Sequence, residues 1–256
     1  LLEVDSTLTI TSPIESENYI KMTEDALSKC GIRFSFENNT YKIPGGQVPR
    51  VPEDAPLSAE GDWSNAAFWL CAGAIGRKPI SLSGMNISHA SLQGDREIVP
   101  ILSRFGATVS EGENSVFVKN SALQGISLSA TQIPDLVPIL SVLAAGAEGT
   151  TTIYGAERLK IKESDRLEAV YRMLTAVGGH VQKTADGLII EGGVPLSGGT
   201  VDAFGDHRIA MSAAILSSIC HGPVTILGAE AVNKSYPDFW EHFAALGGQF
   251  ERSETL

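Results

Sequence analysis

From Ser164 to Val177 the apolar side chains Leu167, Val170, Met173, Leu174 and Val177 stand at i, i+3, i+6, i+7 and i+10. That period collects them on one face and predicts an amphipathic helix. Three other runs are apolar on every side and open on an aspartate: EGDWSNAAFWLCAGAIG from Glu60, IPDLVPILSVLAAGAEG from Ile133 and FGDHRIAMSAAILSSICHG from Phe204. Each is long enough for a helix, and an aspartate at its start can cap the free N–H groups. β-Rich segments follow, KPISLSGM, TTTIYGA and PVTILGA. HVQKTADGLIIEG predicts two short strands joined by a turn at Ala185-Asp186-Gly187.

These elements recur. The phrase apolar-Gly-x-x-apolar closes the amphipathic stretches as CGIRF, FGATV, VGGHV and LGGQF, with Gly31, Gly106, Gly178 and Gly247 spaced 75, 72 and 69 residues apart. A glycine there is a helix C-cap. The aspartates Asp62, Asp135 and Asp206 are spaced 73 and 71 apart. Two phrases with one period of about 70 residues define a repeat. Its unit reads as a helix followed by βαββ, giving an α/β domain with helices behind sheets of mixed direction. The first unit starts at the strand and lacks the aspartate-led helix, and the chain lacks an initiator Met. We therefore expect a piece of a longer protein, cut inside a repeat, with a divergent first unit as the alternative. The stretch 45–62, with three prolines and few apolar residues, is the expected linker. Residues 1–57 are then the last part of a mostly missing amino-terminal domain. Residues 58–256 form a complete carboxyl-terminal domain of three units, about 58–130, 131–202 and 203–256.

Composition adds limits. The chain has 256 residues, 43% hydrophobic and 19% charged, as expected of a globular protein of one large or two medium domains. No apolar run is long enough for a transmembrane helix, and LLEVDSTLTI is not a signal peptide. Cys30, Cys71 and Cys220 lie far apart among apolar neighbours, which predicts buried thiols in a reducing cytoplasm. A net charge of −11 disfavours nucleic acid and anionic membranes as partners.

Against that acidity, LKIKESDRLEAV at 159–170 packs mixed charge into a loop before a helix. The equivalent loops are NISHASLQGDREIV and EAVNKSYPDFWEHF. Together they supply Asp95, Arg96, Lys160, Lys162, Glu163, Arg166 and Lys234. If like ends of the units come together, these charges converge on one face, joined by Asp135, Asp206, His207 and Arg208. Helix starts with Lys and Arg nearby make an anion site. Two readings stand. In one, Lys162, Arg166, Arg208 and Lys234 bind phosphate or carboxylate groups while Glu163 and Asp135 move protons. In the other the charges are a solvated face, Ser164 is an N-cap and Asp135 a plain N-cap. Arg208 favours the first, because a cation two residues into a helix opposes the dipole unless an anion sits there. His207 is open between a structural and a catalytic role. His89, His180, His221 and His242 have no metal-ligand spacing, and no P-loop is present.

The segments LKIKESDRLEAV, FGDHRIAMSAAI, IPDLVPILSVLAA, EGDWSNAAFWLCAGA and NKSYPDFWEHFAALGG resemble, in order and spacing, the carboxyl-terminal part of the 5-enolpyruvylshikimate-3-phosphate synthases. The resemblance implies an α/β (α+β) fold, enolpyruvyl transferase-like, of repeated βαβαββ units of about 70 residues with pseudo-threefold packing. It implies transfer of the carboxyvinyl group of phosphoenolpyruvate to the 5-hydroxyl of shikimate 3-phosphate, with release of phosphate and no metal or organic cofactor. It places Asp135 at the attacking hydroxyl, Glu163 at the methylene carbon as proton donor and acceptor, and Lys162 on the phosphate-ester side. It gives Arg166, Arg208 and Lys234 to phosphoenolpyruvate. SENYI matches the family's shikimate 3-phosphate segment, so Ser16 and Tyr19 become contacts to that substrate, while Asp206 supports the Arg208 loop.

The family also carries an amino-terminal stretch with another lysine, another arginine and an Asn-Gly loop, and it closes two domains around its substrates. None of that stretch is in these 256 residues, so the isolated chain is expected to be inactive unless complemented. Two rivals stand beside this reading. A UDP-sugar carboxyvinyl transferase would be expected to carry a cysteine on a polar mobile loop. A non-catalytic repeat module binding an anion or a partner protein would not need Glu163 and Asp135 together with four cations.

Overall fold

A computed structural model of the chain describes residues 2–53, 57–85, 87 and 91–253. The first three amphipathic helices each sit between a strand and a hairpin. In the first unit β1 (Ser6–Thr9) leads to α1 (Glu17–Lys29), then β2 (Ser35–Glu37) and β3 (Thr40–Ile43). The next has α2 (Trp63–Ile75), β4 (Ile80–Ser83), α3 (Ile98–Phe105), β5 (Thr108–Glu111) and β6 (Ser115–Lys119). The third has β7 (Ser127–Ser129), α4 (Val137–Ala145), β8 (Gly149–Tyr154), α5 (Arg166–Ala176), β9 (His180–Lys183) and β10 (Leu188–Gly192). The last has β11 (Gly199–Asp202), α6 (His207–Ser217), β12 (Val224–Leu227) and α7 (Phe239–Ala245).

The strand order repeats as β1-β3-β2, β4-β6-β5 and β8-β10-β9, with antiparallel pairing throughout each set. In each the last strand lies in the middle, because the hairpin folds back onto the strand before the helix. Two strands that periodicity did not predict, β7 and β11, add parallel edges to β8 and β12. They are short and half polar, so they carry little pattern. With them β7-α4-β8 and β11-α6-β12 each run strand, helix, strand.

The predicted glycine caps take positive φ: +74° at Gly31, +95° at Gly106, +88° at Gly178 and +99° at Gly247. At Gly106 a side chain would also meet the Ala122 carbonyl at 2.9 Å, so backbone angle and space both select glycine. Asp62 caps α2 by accepting from Asn65 N–H, and Asp206 caps α6 by accepting from Arg208 N–H. Asp165, not Ser164, caps α5.

The helices α2, α4 and α6 pack against one another. All nine residues of α4 are buried, as expected of a helix apolar on every side. The apolar face of α5 (Leu167, Val170, Met173 and Leu174) closes on this layer and is at most 2% exposed. The described residues of 44–62 form no helix or strand; residues 54–56 of the expected linker, and His89, lie outside the described set. Cys71 is buried, but Cys30 and Cys220 are only half-buried, a correction to the expectation for all three; all carry free thiols. Among the described residues no helix is long and apolar enough to cross a membrane.

Candidate active site

Because the aspartate-led helices converge, their starts bring charged residues into one cluster. Arg166, the first residue of α5, is its centre and is 1% exposed. Its Nε donates to Asp206 Oδ2 at 2.7 Å, its Nη1 to Asp135 Oδ1 at 2.7 Å and its Nη2 to Glu163 Oε2 at 2.6 Å. Charge-assisted bonds of that length are the strong kind. Asp206 is fully buried, caps Arg208 N–H and also accepts from Ser164 Oγ at 3.1 Å. It holds the Arg166 and Arg208 segments together, the supporting role expected of it.

Asp135 does not cap α4. It lies in a 3-10 turn, Pro134–Leu136, and its side chain turns to the cations instead. Lys162 Nζ is 3.3 Å from Oδ1, and Arg208 Nη2 donates to Oδ2 at 3.3 Å. The plain-cap reading of Asp135 therefore fails. Burial would raise its pKa, but Arg208, Lys162 and Arg166 outweigh burial and hold it down to about 2. Glu163 bridges Arg166 and Lys234, whose Nζ donates to Oε1 at 2.8 Å. Partial burial is again outweighed, here by Lys234, its own backbone N–H and Arg166, so Glu163 also falls to about 2.

Lys234 ends a 3-10 turn, Ala229–Lys234. The chain beyond it is pinned to α2: Asn65 Nδ2 donates to Ser235 O at 3.3 Å, and Trp69 Nε1 donates to Tyr236 Oη at 3.0 Å. Arg208 Nε is buried and has no hydrogen-bond partner among the described residues. His207 is 5% exposed beside Asp206 and Arg208, and burial lowers its pKa, so it belongs to the packing rather than to an accessible acid or base.

Tyr19 reaches the cluster from α1. Its hydroxyl lies 3.3 Å from Asp135 Oδ2 and 3.4 Å from Asp95 Oδ2. Ser16 stands off from it: its Oγ accepts from Arg158 Nη1 at 3.3 Å, and Arg158 Nε pairs with Glu15 at 3.2 Å. Two predicted members of the charged face point elsewhere. Lys160 Nζ donates to Ala185 O at 2.7 Å, because its 3-10 turn faces the hairpin, and Arg96 pairs with Glu111. Ser64, which sequence reading missed, donates to Asp95 Oδ2. Its only signal was its place two residues after a capping aspartate.

The cluster thus gathers four cations, Lys162, Arg166, Arg208 and Lys234, around carboxylates that can orient or exchange protons. Such a site suits a small ligand with several negative charges. Among the described residues no group of three or more His, Cys, Asp or Glu side chains is arranged to hold a metal ion. The sequence profile of the family EPSP synthase (3-phosphoshikimate 1-carboxyvinyltransferase) matches residues 1–243. The chain belongs to this family. It is 47% identical over 250 residues to the 3-phosphoshikimate 1-carboxyvinyltransferase of Clostridium acetobutylicum, covering 96% of this chain and 56% of that protein. Against the enzyme of that name from Clostridium novyi it is 43% identical over 249 residues, covering 96% and 56%.

Among solved structures, EPSP synthase from Acinetobacter baumannii superposes with a TM-score of 0.79 at 29% identity, over 98% of this chain and 59% of that one. An enolpyruvyl transferase from Streptomyces tendae, at 21% identity and a TM-score of 0.71 over 96% of this chain and 56% of that one, shares the fold. The chain therefore spans between half and two thirds of the length of these relatives. The matching family is neither rival reading, the UDP-sugar transferase or the anion-binding module.

Proposed function

We propose that this chain carries the carboxyl-terminal half-site of an enzyme that transfers the carboxyvinyl group of phosphoenolpyruvate to the 5-hydroxyl of shikimate 3-phosphate, releasing phosphate. The observation that carries the reading is the convergence of Lys162, Arg166, Arg208 and Lys234 on Asp135 and Glu163.

In this reading Asp135 accepts the acceptor's hydroxyl proton as the oxygen attacks the donor. Lys162 neutralises charge on the acceptor side. Lys234 and Arg208, with buried Arg166 behind them, supply positive charge for the donor's phosphate and carboxylate. Glu163, which already bridges Lys234 and Arg166, takes up a proton from solvent as substrate binds, gives it to the methylene carbon and takes one back from the methyl group as phosphate leaves. Tyr19 and Ser16 contact the acceptor, and the Arg158–Ser16 bond supports an anion near that hydroxyl. No metal enters this scheme. Residues 1–57 belong to a neighbouring lobe and 58–256 to a three-unit lobe. Closure of the two around the substrates excludes water. The enzyme works in the reducing cytoplasm, its partners being these two substrates and the other lobe rather than nucleic acid or membrane.

The test is phosphate release from phosphoenolpyruvate with shikimate 3-phosphate. It is run on the chain alone and on the chain supplied with the preceding portion of a relative. Release that needs both substrates and the added portion is expected. Release with a UDP-sugar in place of shikimate 3-phosphate would contradict the substrate assignment.

A further inference from the structure

Asp95 is an acid that the scheme above does not use. It is 1% exposed and, among the described residues, makes no ion pair. It lies in a 3-10 turn, Gly94–Glu97, against α2. Ser64 Oγ donates to its Oδ2, and its Oδ1 is buried and has no hydrogen-bond partner among the described residues. The Tyr19 hydroxyl stands between this Oδ2, at 3.4 Å, and Asp135 Oδ2, at 3.3 Å. One phenolic proton thus faces two carboxylates.

The two carboxylates differ in what surrounds them. Asp135 is paired with Lys162, Arg166 and Arg208. Asp95 is bonded to two hydroxyls, and the charges that act on it are Arg208 from α6 and Asp135 itself. Burial raises the Asp95 pKa, whereas its neighbour's cations depress that of Asp135. A proton is therefore worse placed on Asp135, where an acceptor hydroxyl would deliver it, than on Asp95. Tyr19 is kept protonated, first by burial and then by the two carboxylates, so it can pass a proton but not hold a negative charge.

We propose that Asp95 stores the proton that Asp135 takes from the acceptor hydroxyl, receiving it through the Tyr19 hydroxyl that bridges the two. The inference rests on Asp135 acting at that hydroxyl. The acceptor O–H bond breaks, its electron pair stays on the attacking oxygen, and the proton goes to Asp135 Oδ2. Asp135 passes it to the Tyr19 oxygen as the phenolic proton moves to Asp95 Oδ2. Asp135 returns to a carboxylate, Tyr19 is unchanged and Asp95 becomes a carboxylic acid. The reverse path releases the proton to water once product has left. Asp95 acts through Tyr19 and is a positioning residue, not one that touches substrate. The bridge also explains why a tyrosine from α1 is needed at a site built by the later helices.

The experiment compares Tyr19→Phe, Asp95→Asn and the double variant, in whichever of the two preparations above turns over. Each single change is expected to lower kcat at least roughly tenfold with KM for the donor held within about twofold; Asp95→Asn also leaves KM for the acceptor within about twofold, whereas Tyr19→Phe raises it, because Tyr19 contacts the acceptor. The double variant should fall no further than the weaker single, because both break one path. Arg96→Ala, beside Asp95 in sequence but paired with Glu111 away from the cluster, should keep kcat within about twofold. Losses that multiply in the double variant, a change confined to KM, or no loss would overturn the relay. If Asp95→Asn does not fold, judged by its melting curve, Tyr19→Phe decides by the same split between kcat and KM for the donor. Asp135→Asn separates the two readings. If it turns over normally, the base assignment fails and the relay with it; if it is inactive while Tyr19→Phe is normal, the relay alone fails.

Discussion

The unit β1-α1-β2-β3 and the later unit β8-α5-β9-β10 have the same element order and the same strand order, yet they are buried very differently. Helix α5 buries six residues, and α1 buries none. The reason lies behind the helices. α5 packs on α4 and α6. α1 leaves an apolar hollow of about 190 Å³, lined by residues that include Leu8, Ile20, Leu27, Ile32, Phe34 and Tyr41. Local pattern makes the element, but a neighbouring helix layer makes it stable. The charged cluster sits where that layer is complete and draws one residue, Tyr19, from the unit where it is not.

The contrast predicts where the chain is vulnerable. The largest effect is expected at Arg166, which has no counterpart in the first unit. Arg166→Met leaves Asp206 buried without its cation and should cost about 3–5 kcal/mol in urea unfolding. Next comes Leu143→Ala in α4, where the side chain is fully buried; it should cost about 2–5 kcal/mol. Leu27→Ala on half-buried α1 should cost about 1 kcal/mol or less. Equal losses at Leu143 and Leu27 would erase the contrast.

Acid should also act on the later units first. Asp135 falls from an ordinary 3.8 to about 2 in the folded protein. A depressed carboxyl contributes stability above its unfolded pKa and loses it as pH falls through the folded one. Between pH 4 and 2 that is roughly 2 kcal/mol, since the side chain is 14% exposed. Glu163 adds a smaller loss in the same direction, and Asp95, whose pKa is raised, opposes both. Tm measured from pH 5 to 2 should fall; a flat profile would show that the cluster adds no stability. The smallest effect is expected at Lys21→Ala, which removes an exposed pair with Glu17 at 3.0 Å. It should change stability by less than about 0.5 kcal/mol.

Much of this architecture can be read from residue order. The glycine caps, the apolar face of α5 and the caps at Asp62 and Asp206 follow from local geometry, so period and residue type reveal them. The convergence of Lys162, Glu163, Arg166, Arg208 and Lys234 follows from the repeat. The remainder depends on contacts between units. Asp135 looks like a cap until three cations from other segments draw its carboxylate away. Lys160 looks like a site residue until its turn faces the hairpin. Asp95 and Ser64 have meaning only through Tyr19, which is 76 residues from Asp95 in sequence. Strands β7 and β11 are defined by the edges they complete.

The Asp135 cluster is proposed as the reacting centre. That role is tested most directly by phosphate release from phosphoenolpyruvate and shikimate 3-phosphate with Asp135→Asn, in a preparation that turns over with Asp135 intact. Release should be lost while the melting temperature shows the variant folded. Release at the unsubstituted rate would contradict that role.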